Sequence, residues 1–366
     1  MKRGILHPLV GARPNDLVRT LLSHGGSAPR YSGHVALMFL CGALQSPLFL
    51  VEALRTRSLA RAPFEQPPVI VVGHWRSGTT FLHNLMSRDP AFCFPTIAEV
   101  FRPYNFYPGP FEFIPRAILR YSLPAVRPMD DVPLSEDNLP QEDEIALASM
   151  GAPSFFNAFY FPGKMAQIVD EEILLEDSSA GLQALWWKRT RYFLAKIAHL
   201  SPNRRLLLKN PAHSARIKLL RQMFPGAKFI HIHRDPLEVI ASTRKLYRHL
   251  LPLLALQHYD LAIIDRQIVD LYVRLMKSLC ANLAKLPAGD VAQVRYRDLV
   301  AKPTEVVAAV YEKLCLGGFR AAEPAISEFA RRPHGAQAVD PSDWRLATSS
   351  ADRLAHFREL LGYSTS

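Results

Sequence analysis

A short turn of small residues with one arginine provides the groups needed to bind an anion. Residues 73–80 read GHWRSGTT and follow PPVIVVG, a run of apolar, largely β-branched residues. Such a run predicts a buried strand, and the pattern from Thr79 onward predicts a helix. Backbone N–H groups in a turn and at a helix N-terminus attract phosphate and related anions. Hydroxyl groups of Ser77, Thr79 and Thr80 add donors, and Arg76 adds a positive charge.

The turn differs from the phosphate loop of nucleotide hydrolases, whose pattern GxxxxGK[ST] contains a lysine. Thr79 stands where that pattern requires the lysine. No acidic residue at the end of a later strand is well suited to hold magnesium, so we predict that the site needs no metal. The alternative interpretation is an ordinary glycine-containing turn between a strand and a helix.

A second junction between a strand and a helix lies in HIHRDPLEVIAS, residues 231–242. Arg234 stands where the predicted strand ends, and Ser242 lies about two turns into the following helix. These two residues are suited to hold a second phosphate near the first. The alternative is that Arg234 forms a surface ion pair with Asp235 or Glu238.

Strands alternate with helices through most of the chain. This alternation predicts an α/β fold, with a P-loop-like, doubly wound parallel sheet flanked by helices and preceded by an N-terminal helical extension. We expect the extension to cover residues 1–64 and the sheet domain to cover residues 65–366. The four predicted strands are residues 67–73, 204–209, 228–234 and 291–296.

Residues 91–165 are rich in proline, phenylalanine and tyrosine, and they are long for a loop. Because such segments are often functional, we expect this one to wall the pocket for an acceptor. Within it, residues 140–144 read PQEDE and could bind a cationic acceptor or assist a base. The alternative is a solvated or structural turn, since runs of charge usually face water.

One apolar stretch approaches the length of a membrane span. Residues 35–54 read VALMFLCGALQSPLFLVEAL, but Gln45, Ser46, Pro47 and Glu52 interrupt the apolar pattern. We therefore expect a helical hairpin that packs on the domain or lies in a membrane interface. The expected location is the cytoplasm, with at most peripheral membrane contact.

The composition narrows the range of partners. The net charge is +11 and the pI is near 9.6, which favours anionic ligands. We predict no nucleic-acid partner, because no dense run of lysine and arginine with interleaved aromatic residues occurs. The 4 cysteines form no CxxC pair, so neither a zinc site nor a disulfide framework is expected, and a reducing compartment is favoured.

Four motifs occur in the order found in the PAPS-dependent sulfotransferases, where PAPS is 3′-phosphoadenosine 5′-phosphosulfate. The chain resembles that family, which includes the tyrosylprotein sulfotransferases, over about residues 65–316. GHWRSGTT resembles the family's 5′-phosphosulfate loop, and HRDPLEVIAS resembles its 3′-phosphate motif. LLLKNPAHS is similar to an intervening strand that bears a lysine. RYRDLV is similar to a later strand, where a tyrosine lies near the cofactor.

The resemblance implies a donor, a reaction and a set of site residues. PAPS would be the donor and adenosine 3′,5′-bisphosphate the product, with in-line displacement at sulfur and no metal. Glu99 matches the acidic base, Lys209 would neutralise charge on the transferring group together with Arg76, and His213 is the second candidate for the base. The implied cofactor-binding residues are Arg76, Ser77, Gly78, Thr79, Thr80, Arg234, Ser242 and Tyr296.

Two parts of the family pattern are matched poorly. Lys245 and Leu246 lie where the family has a further arginine after the 3′-phosphate serine. The C-terminal segment that closes over the cofactor is matched only loosely, by RRP at Arg331 and by DWR at residues 343–345.

Two other functions are compatible with the same residues. One is a small-molecule kinase on a P-loop fold, which predicts dependence on ATP and magnesium. The other is a non-enzymatic, basic, peripheral membrane-binding protein. For a sulfotransferase, the acceptor would be a hydroxyl or an amine of a small molecule, lipid, carbohydrate or peptide.

Overall fold

The computed structural model of the protein describes residues 7–108, 140–332 and 340–363. The chain divides into two compact units. The first unit comprises residues 1–64, 95–202 and 249–260. The second unit comprises residues 65–94, 203–248 and 261–366. The expected N-terminal extension is therefore part of a larger unit, which also contains most of segment 91–165.

A five-stranded, all-parallel sheet forms the centre of the second unit, in the order β2-β3-β1-β4-β5. All residues of the central strand β1 are fully buried, as expected for a parallel strand covered on both faces, whereas the edge strand β5 alternates in exposure. The predicted P-loop-like parallel sheet is confirmed. The strands are β1 (Val69–Val72), β2 (Phe92–Cys93), β3 (Arg205–Lys209), β4 (Lys228–His233) and β5 (Val291–Arg295).

Helices flank the sheet and make up most of the first unit. In chain order they are α1 (Pro14–Ser23), α2 (Ser32–Arg55), α3 (Thr79–Met86), α4 (Ile97–Phe101), α5 (Glu144–Ser149), α6 (Asn157–Tyr160), α7 (Met165–Ile168), α8 (Ala180–Leu200), α9 (Ile217–Met223), α10 (Pro236–Leu254), α11 (Leu261–Leu283), α12 (Tyr296–Ala301), α13 (Pro303–Leu314), α14 (Phe319–Ala330), α15 (Pro341–Ser349) and α16 (Ala351–Leu360).

Four strands lie where the sequence predicts them, and β2 is the one that it does not predict. β2 has only two residues, Phe92 and Cys93, which pair with Arg205 and Leu206 of β3. A two-residue edge strand is too short to show a period, so it leaves no pattern in the sequence.

The described residues of segment 91–165 include several short helices, and residues 109–139 lie outside the described part of the chain. Several of its aromatic side chains, including Tyr104, Phe155 and Phe159, are buried by at least 99% in the core of the first unit. These rings therefore stabilise the first unit. The expectation that the segment walls an acceptor pocket stays a prediction.

The apolar stretch 35–54 is continuous within α2, so the expected hairpin inside it is wrong. Pro47 lies within the helix, and the two polar residues before it bond to helix carbonyls. Gln45 Nε2 donates to Cys41 O at 3.0 Å, and Ser46 Oγ donates to Gly42 O at 2.9 Å. These local bonds let polar residues stay in a helix without ending it. By length and composition alone, Pro29–Arg55 could cross a membrane.

Candidate functional site

The carboxyl ends of four strands in the second unit carry most of the predicted site residues. Gly73 follows β1, Lys209 ends β3, Arg234 follows β4 and Tyr296 follows β5. In open parallel sheets, ligands bind outside these ends, at the strand where the direction of the connections changes. That strand is β1, because it lies between β3 and β4. The fold therefore gives these residues the position of a ligand site.

The backbone of the turn after β1 lies in close contact with the backbone of β4. At Gly73, whose φ is +143°, an added Cβ would lie 2.3 Å from the carbonyl oxygen of Ile232. The Ser77 hydroxyl donates to that same oxygen at 3.2 Å and to His74 O at 2.7 Å. Ser77 is buried, and its hydroxyl stabilises the turn in this structure. Arg76 also has a positive φ, of 69°.

Ser214 stabilises the base of the same turn, and its role was not predicted. Its Oγ accepts from Gly73 N at 2.9 Å and donates to Gly73 O at 3.1 Å. Ser214 lies in a short 3₁₀ turn, Pro211–Ala215, which begins after Asn210 accepts a bond from Ala212 N at 2.9 Å. An Asn-Pro pair directly after a strand is the sequence signal for such a turn. The bond to Gly73 is a long-range contact that no local pattern contains.

Gly78 ends the turn and precedes α3, where it packs on Tyr296. Its φ is +99°, and an added Cβ would lie 2.2 Å from a ring carbon of Tyr296. The guanidinium of Arg234 lies over the ring of Tyr296, 4.9 Å from the ring centroid. Tyr296 therefore contacts residues of both predicted phosphate motifs.

Two polar contacts join the predicted site residues to one another. Arg76 Nε donates to Ser242 Oγ at 2.9 Å, so the first motif meets the second. Lys209 Nζ donates to Thr80 Oγ1 at 3.4 Å, which places the β3 lysine beside the start of α3. Thr79, the first residue of α3, is buried. All the residues predicted to bind the cofactor lie in the second unit.

Arg234 also forms the ion pair that the sequence offered as an alternative. Its Nε donates to Glu238 Oε2, one turn away on α10. The neighbouring residue Asp235 accepts from Arg358 of α16 at 3.1 Å. The Tyr363 hydroxyl lies 3.1 Å from His233 Nδ1. The C-terminal helix therefore packs on the junction where Arg234 lies.

Arg244, two positions after Ser242, is not among the residues that the family resemblance implies. Arg244 Nε lies 2.9 and 3.0 Å from the two carboxylate oxygens of Asp265. Arg244 and Arg248 both approach the buried carboxylate of Asp343, at 3.5 and 3.2 Å. Asp343, from the loosely matched DWR segment, thus connects α15 to α10.

The histidines near the motifs are buried within the second unit. Burial lowers the pKa of His74 to about 4 and that of His231 to about 3. Burial also lowers the pKa of His233 to about 4. Neutral, buried rings at these positions are suited to a structural role. His213, the second candidate for the base, is fully buried in the Pro211–Ala215 turn.

Glu99, the first candidate for the base, lies in the first unit at the start of α4. Its Oε2 accepts bonds from Thr96 N at 2.6 Å and Thr96 Oγ1 at 2.9 Å, which forms a capping box. Burial raises the pKa of the Glu99 carboxyl, although the Thr96 bonds, Arg102 and Lys196 act in the opposite direction. The effect of burial on the Glu99 carboxyl therefore outweighs that of Arg102.

The last residue of the PQEDE segment, Glu144, has a structural role in the first unit. Glu144 is fully buried at the start of α5, and its Oε2 accepts from Phe155 N at 2.5 Å. Its carbonyl accepts from Ser154 Oγ at 2.8 Å. These bonds hold the chain after α5, so this carboxylate is not a solvated surface charge.

Comparisons with known proteins agree on one family. A model described as the sulfotransferase family matches residues 67–317. The omega-hydroxy-beta-dihydromenaquinone-9 sulfotransferase Stf3 of Mycobacterium bovis is 34% identical over 273 residues, which cover 75% of this chain and 69% of the relative. The Mycobacterium tuberculosis protein of the same name matches equally well.

Two solved structures share the fold. Sulfotransferase STF9 from Mycobacterium avium has a TM-score of 0.67 and 20% identity, covering 86% of this chain and 81% of its own. Sulfotransferase STF1 from Mycobacterium tuberculosis has a TM-score of 0.67 and 19% identity, with coverages of 93% and 90%. These likenesses concern the fold alone.

The close packing at Gly78 predicts a large cost for a single methyl group. Gly78→Ala should lower the free energy of unfolding by about 1–3 kcal/mol, because alanine disfavours the positive φ and meets the Tyr296 ring. Gly181→Ala is the matched control, since an added Cβ there has nothing within 4 Å. Urea unfolding measures both variants. Equal stabilities of the two would contradict the packing described for the turn.

Proposed function

This chain belongs to the sulfotransferase family and is an enzyme that transfers a sulfuryl group, and we propose that its donor is PAPS and that its acceptor is a lipid hydroxyl. The donor assignment rests on one observation, the hydrogen bond from Arg76 to Ser242 that joins the two predicted phosphate motifs. Family membership does not favour the kinase or the non-enzymatic alternative. The absence of a metal requirement remains part of the proposal.

The residues at the strand ends suit a ligand with phosphate groups at two positions. We propose that the turn N–H groups, Arg76 and Thr80 hold the 5′-phosphosulfate end. Arg234 and Ser242 would hold the 3′-phosphate, and Arg234 would then exchange the Glu238 carboxylate for the ligand. Tyr296 contacts both motifs, so it would fix the distance between them. PAPS, when bound, supplies a sulfuryl group attached to a phosphate leaving group.

The proposed chemistry of the protein is stabilisation of charge and removal of a proton. The Lys209 ammonium, beside Thr80, would stabilise charge on the oxygen between phosphorus and sulfur. Arg76 and the turn amides would stabilise the outer oxygens, as in phosphoryl transfer. A general base takes the acceptor's proton, and we assign this role to Glu99. The raised pKa of Glu99 supports the assignment, because a more basic carboxylate accepts a proton more readily.

The proposed class of acceptor is inferred from the names of the similar proteins. Stf3 is named for a hydroxylated menaquinone derivative, and it shares 34% identity with this chain over 273 residues. That similarity covers 75% of this chain, and it supports a hydroxylated lipid as the acceptor here.

A transfer assay tests the acceptor directly. Purified protein, PAPS and a detergent-solubilised menaquinone with a terminal hydroxyl should give a sulfated lipid, detected by its mass. The same menaquinone without the hydroxyl is the matched control and should remain unchanged. Sulfation of a peptide or a sugar in preference to the hydroxylated menaquinone would contradict the lipid assignment while leaving the donor assignment intact.

Arg234 should be specific for the 3′-phosphate. Arg234→Ala should weaken binding of adenosine 3′,5′-bisphosphate by about 1.5–3 kcal/mol, since a charge-assisted hydrogen bond is lost. It should hardly change binding of adenosine 5′-monophosphate. Arg297→Ala is the matched control, because Arg297 is in the same unit and its side chain is 71% exposed. Isothermal titration with both nucleotides measures the difference, and equal losses would rule out this role.

The base assignment predicts a loss of turnover without a loss of structure. Glu99→Gln should lower kcat by about 10²–10⁴ while leaving nucleotide affinity unchanged. Glutamine is also accepted at the third position of a capping box, so the α4 cap with Thr96 should persist and the melting temperature should change little.

His213 is the competitor in this test. His213→Asn should retain most of the turnover if Glu99 is the base. Near-normal turnover of Glu99→Gln, combined with an inactive but folded His213→Asn, would transfer the role to His213.

A further inference from the structure

Helix α2 carries an apolar stripe that the rest of the described protein leaves exposed. Its members follow one another at intervals of three, four, seven and three residues, so they lie along one face of the helix. Their exposed fractions range from 45% at Val51 to 72% at Leu44. The stripe consists of Leu37, Leu40, Leu44, Val51 and Leu54. At 1.5 Å per residue it is about 26 Å long, which is far more than an isolated exposed leucine.

The opposite face of α2 is packed tightly against the first unit. Met38 and Phe49 are buried, and a Cβ at Gly42 would lie 2.7 Å from the carbonyl oxygen of Ala12. Glu52 is also buried, and its carboxylate accepts from Lys196 Nζ at 2.6 Å and from Tyr107 N at 2.8 Å. A helix with a buried ion pair on one face cannot be surrounded by lipid. These contacts therefore argue against a membrane span.

The exposed charged residues at the two ends of α2 are positive. Glu52 is the one acidic residue of α2, and the Lys196 pair keeps its charge inside the first unit. The exposed face of the helix therefore contains no carboxylate. Exposed arginines lie at both ends of the helix, with Arg30 before it and Arg57 and Arg61 after it. An apolar face with basic ends is complementary to a surface that is apolar inside and anionic outside.

We propose that α2 lies in the plane of a membrane, with its exposed stripe buried in the headgroup region of a bilayer that contains anionic lipids. A second copy of the chain fits the stripe less well. Parallel pairing of two α2 helices would bring Arg57 near its own counterpart, and antiparallel pairing would bring it near Arg30. Both orientations place like charges together, and α2 itself has no exposed acid to balance them. The inference does not depend on the donor or the acceptor.

Vesicle flotation with the full chain tests this surface. The protein should bind vesicles of equal parts phosphatidylglycerol and phosphatidylcholine, and bind pure phosphatidylcholine more weakly. Leu44→Gln should reduce binding about tenfold, because one buried leucine is lost from the interface. Leu22→Gln is the matched control, since Leu22 is 77% exposed on α1 and lies outside the stripe. Arg57→Gln and Arg61→Gln should each weaken binding to the anionic vesicles roughly fivefold.

Four outcomes would overturn the proposal. They are no binding of the wild-type protein to either vesicle, equal losses for Leu44→Gln and Leu22→Gln, retention on vesicles after an alkaline carbonate wash, and a vesicle-free dimer that Leu44→Gln dissociates. The third would indicate a span, and the fourth would indicate a second copy on the stripe. If Leu44→Gln does not fold, as judged by its melting temperature, Leu40→Gln replaces it in the same comparison.

Discussion

The site depends on the close approach of the turn after β1 to the backbone of β4. A residue with a side chain does not fit at Gly73, because the carbonyl oxygen of Ile232 occupies the space for its Cβ. The Ser77 hydroxyl donates a hydrogen bond to the same carbonyl, so Gly73 and Ser77 both contact one point on β4. Since β4 leads directly to Arg234, this contact sets the distance between the two phosphate motifs.

Several other contacts in the second unit follow from that constraint. The turn conformation brings Arg76 to Ser242, and it brings Gly78 against the ring of Tyr296. Tyr296 in turn supports Arg234. A positively charged site of this kind is held by backbone approach and packing of side chains.

The sequence predicts four of the five strands and the placement of the proposed site residues at strand ends, because both leave local patterns. β1 is a run of four apolar residues, and the site residues lie at strand ends, which the Gly-rich and HRDP motifs identify. Contacts between distant segments leave no such pattern. The bond of Ser214 to Gly73 and the position of Tyr296 between the motifs are of this kind.

Other differences arise because local signals compete. Thr96 and Glu99 form a capping box, whose Thr-x-x-Glu spacing is visible in the sequence, and the same carboxylate matches the family's acidic base. Burial, which raises the pKa of Glu99, cannot be read from its neighbours. In α2, the proline at position 47 indicated a break, but packing of one face against the first unit keeps the helix continuous. Tertiary packing thus outweighs the local preference of one residue.

Calorimetric titration with adenosine 3′,5′-bisphosphate in EDTA tests the central claim most directly. The account predicts binding with a dissociation constant in the micromolar range or tighter, on the order of −8 kcal/mol, with no requirement for a divalent metal. ATP with magnesium serves as the comparison ligand and should bind much more weakly. Tight binding of ATP that requires magnesium, together with no measurable binding of adenosine 3′,5′-bisphosphate, would contradict the account.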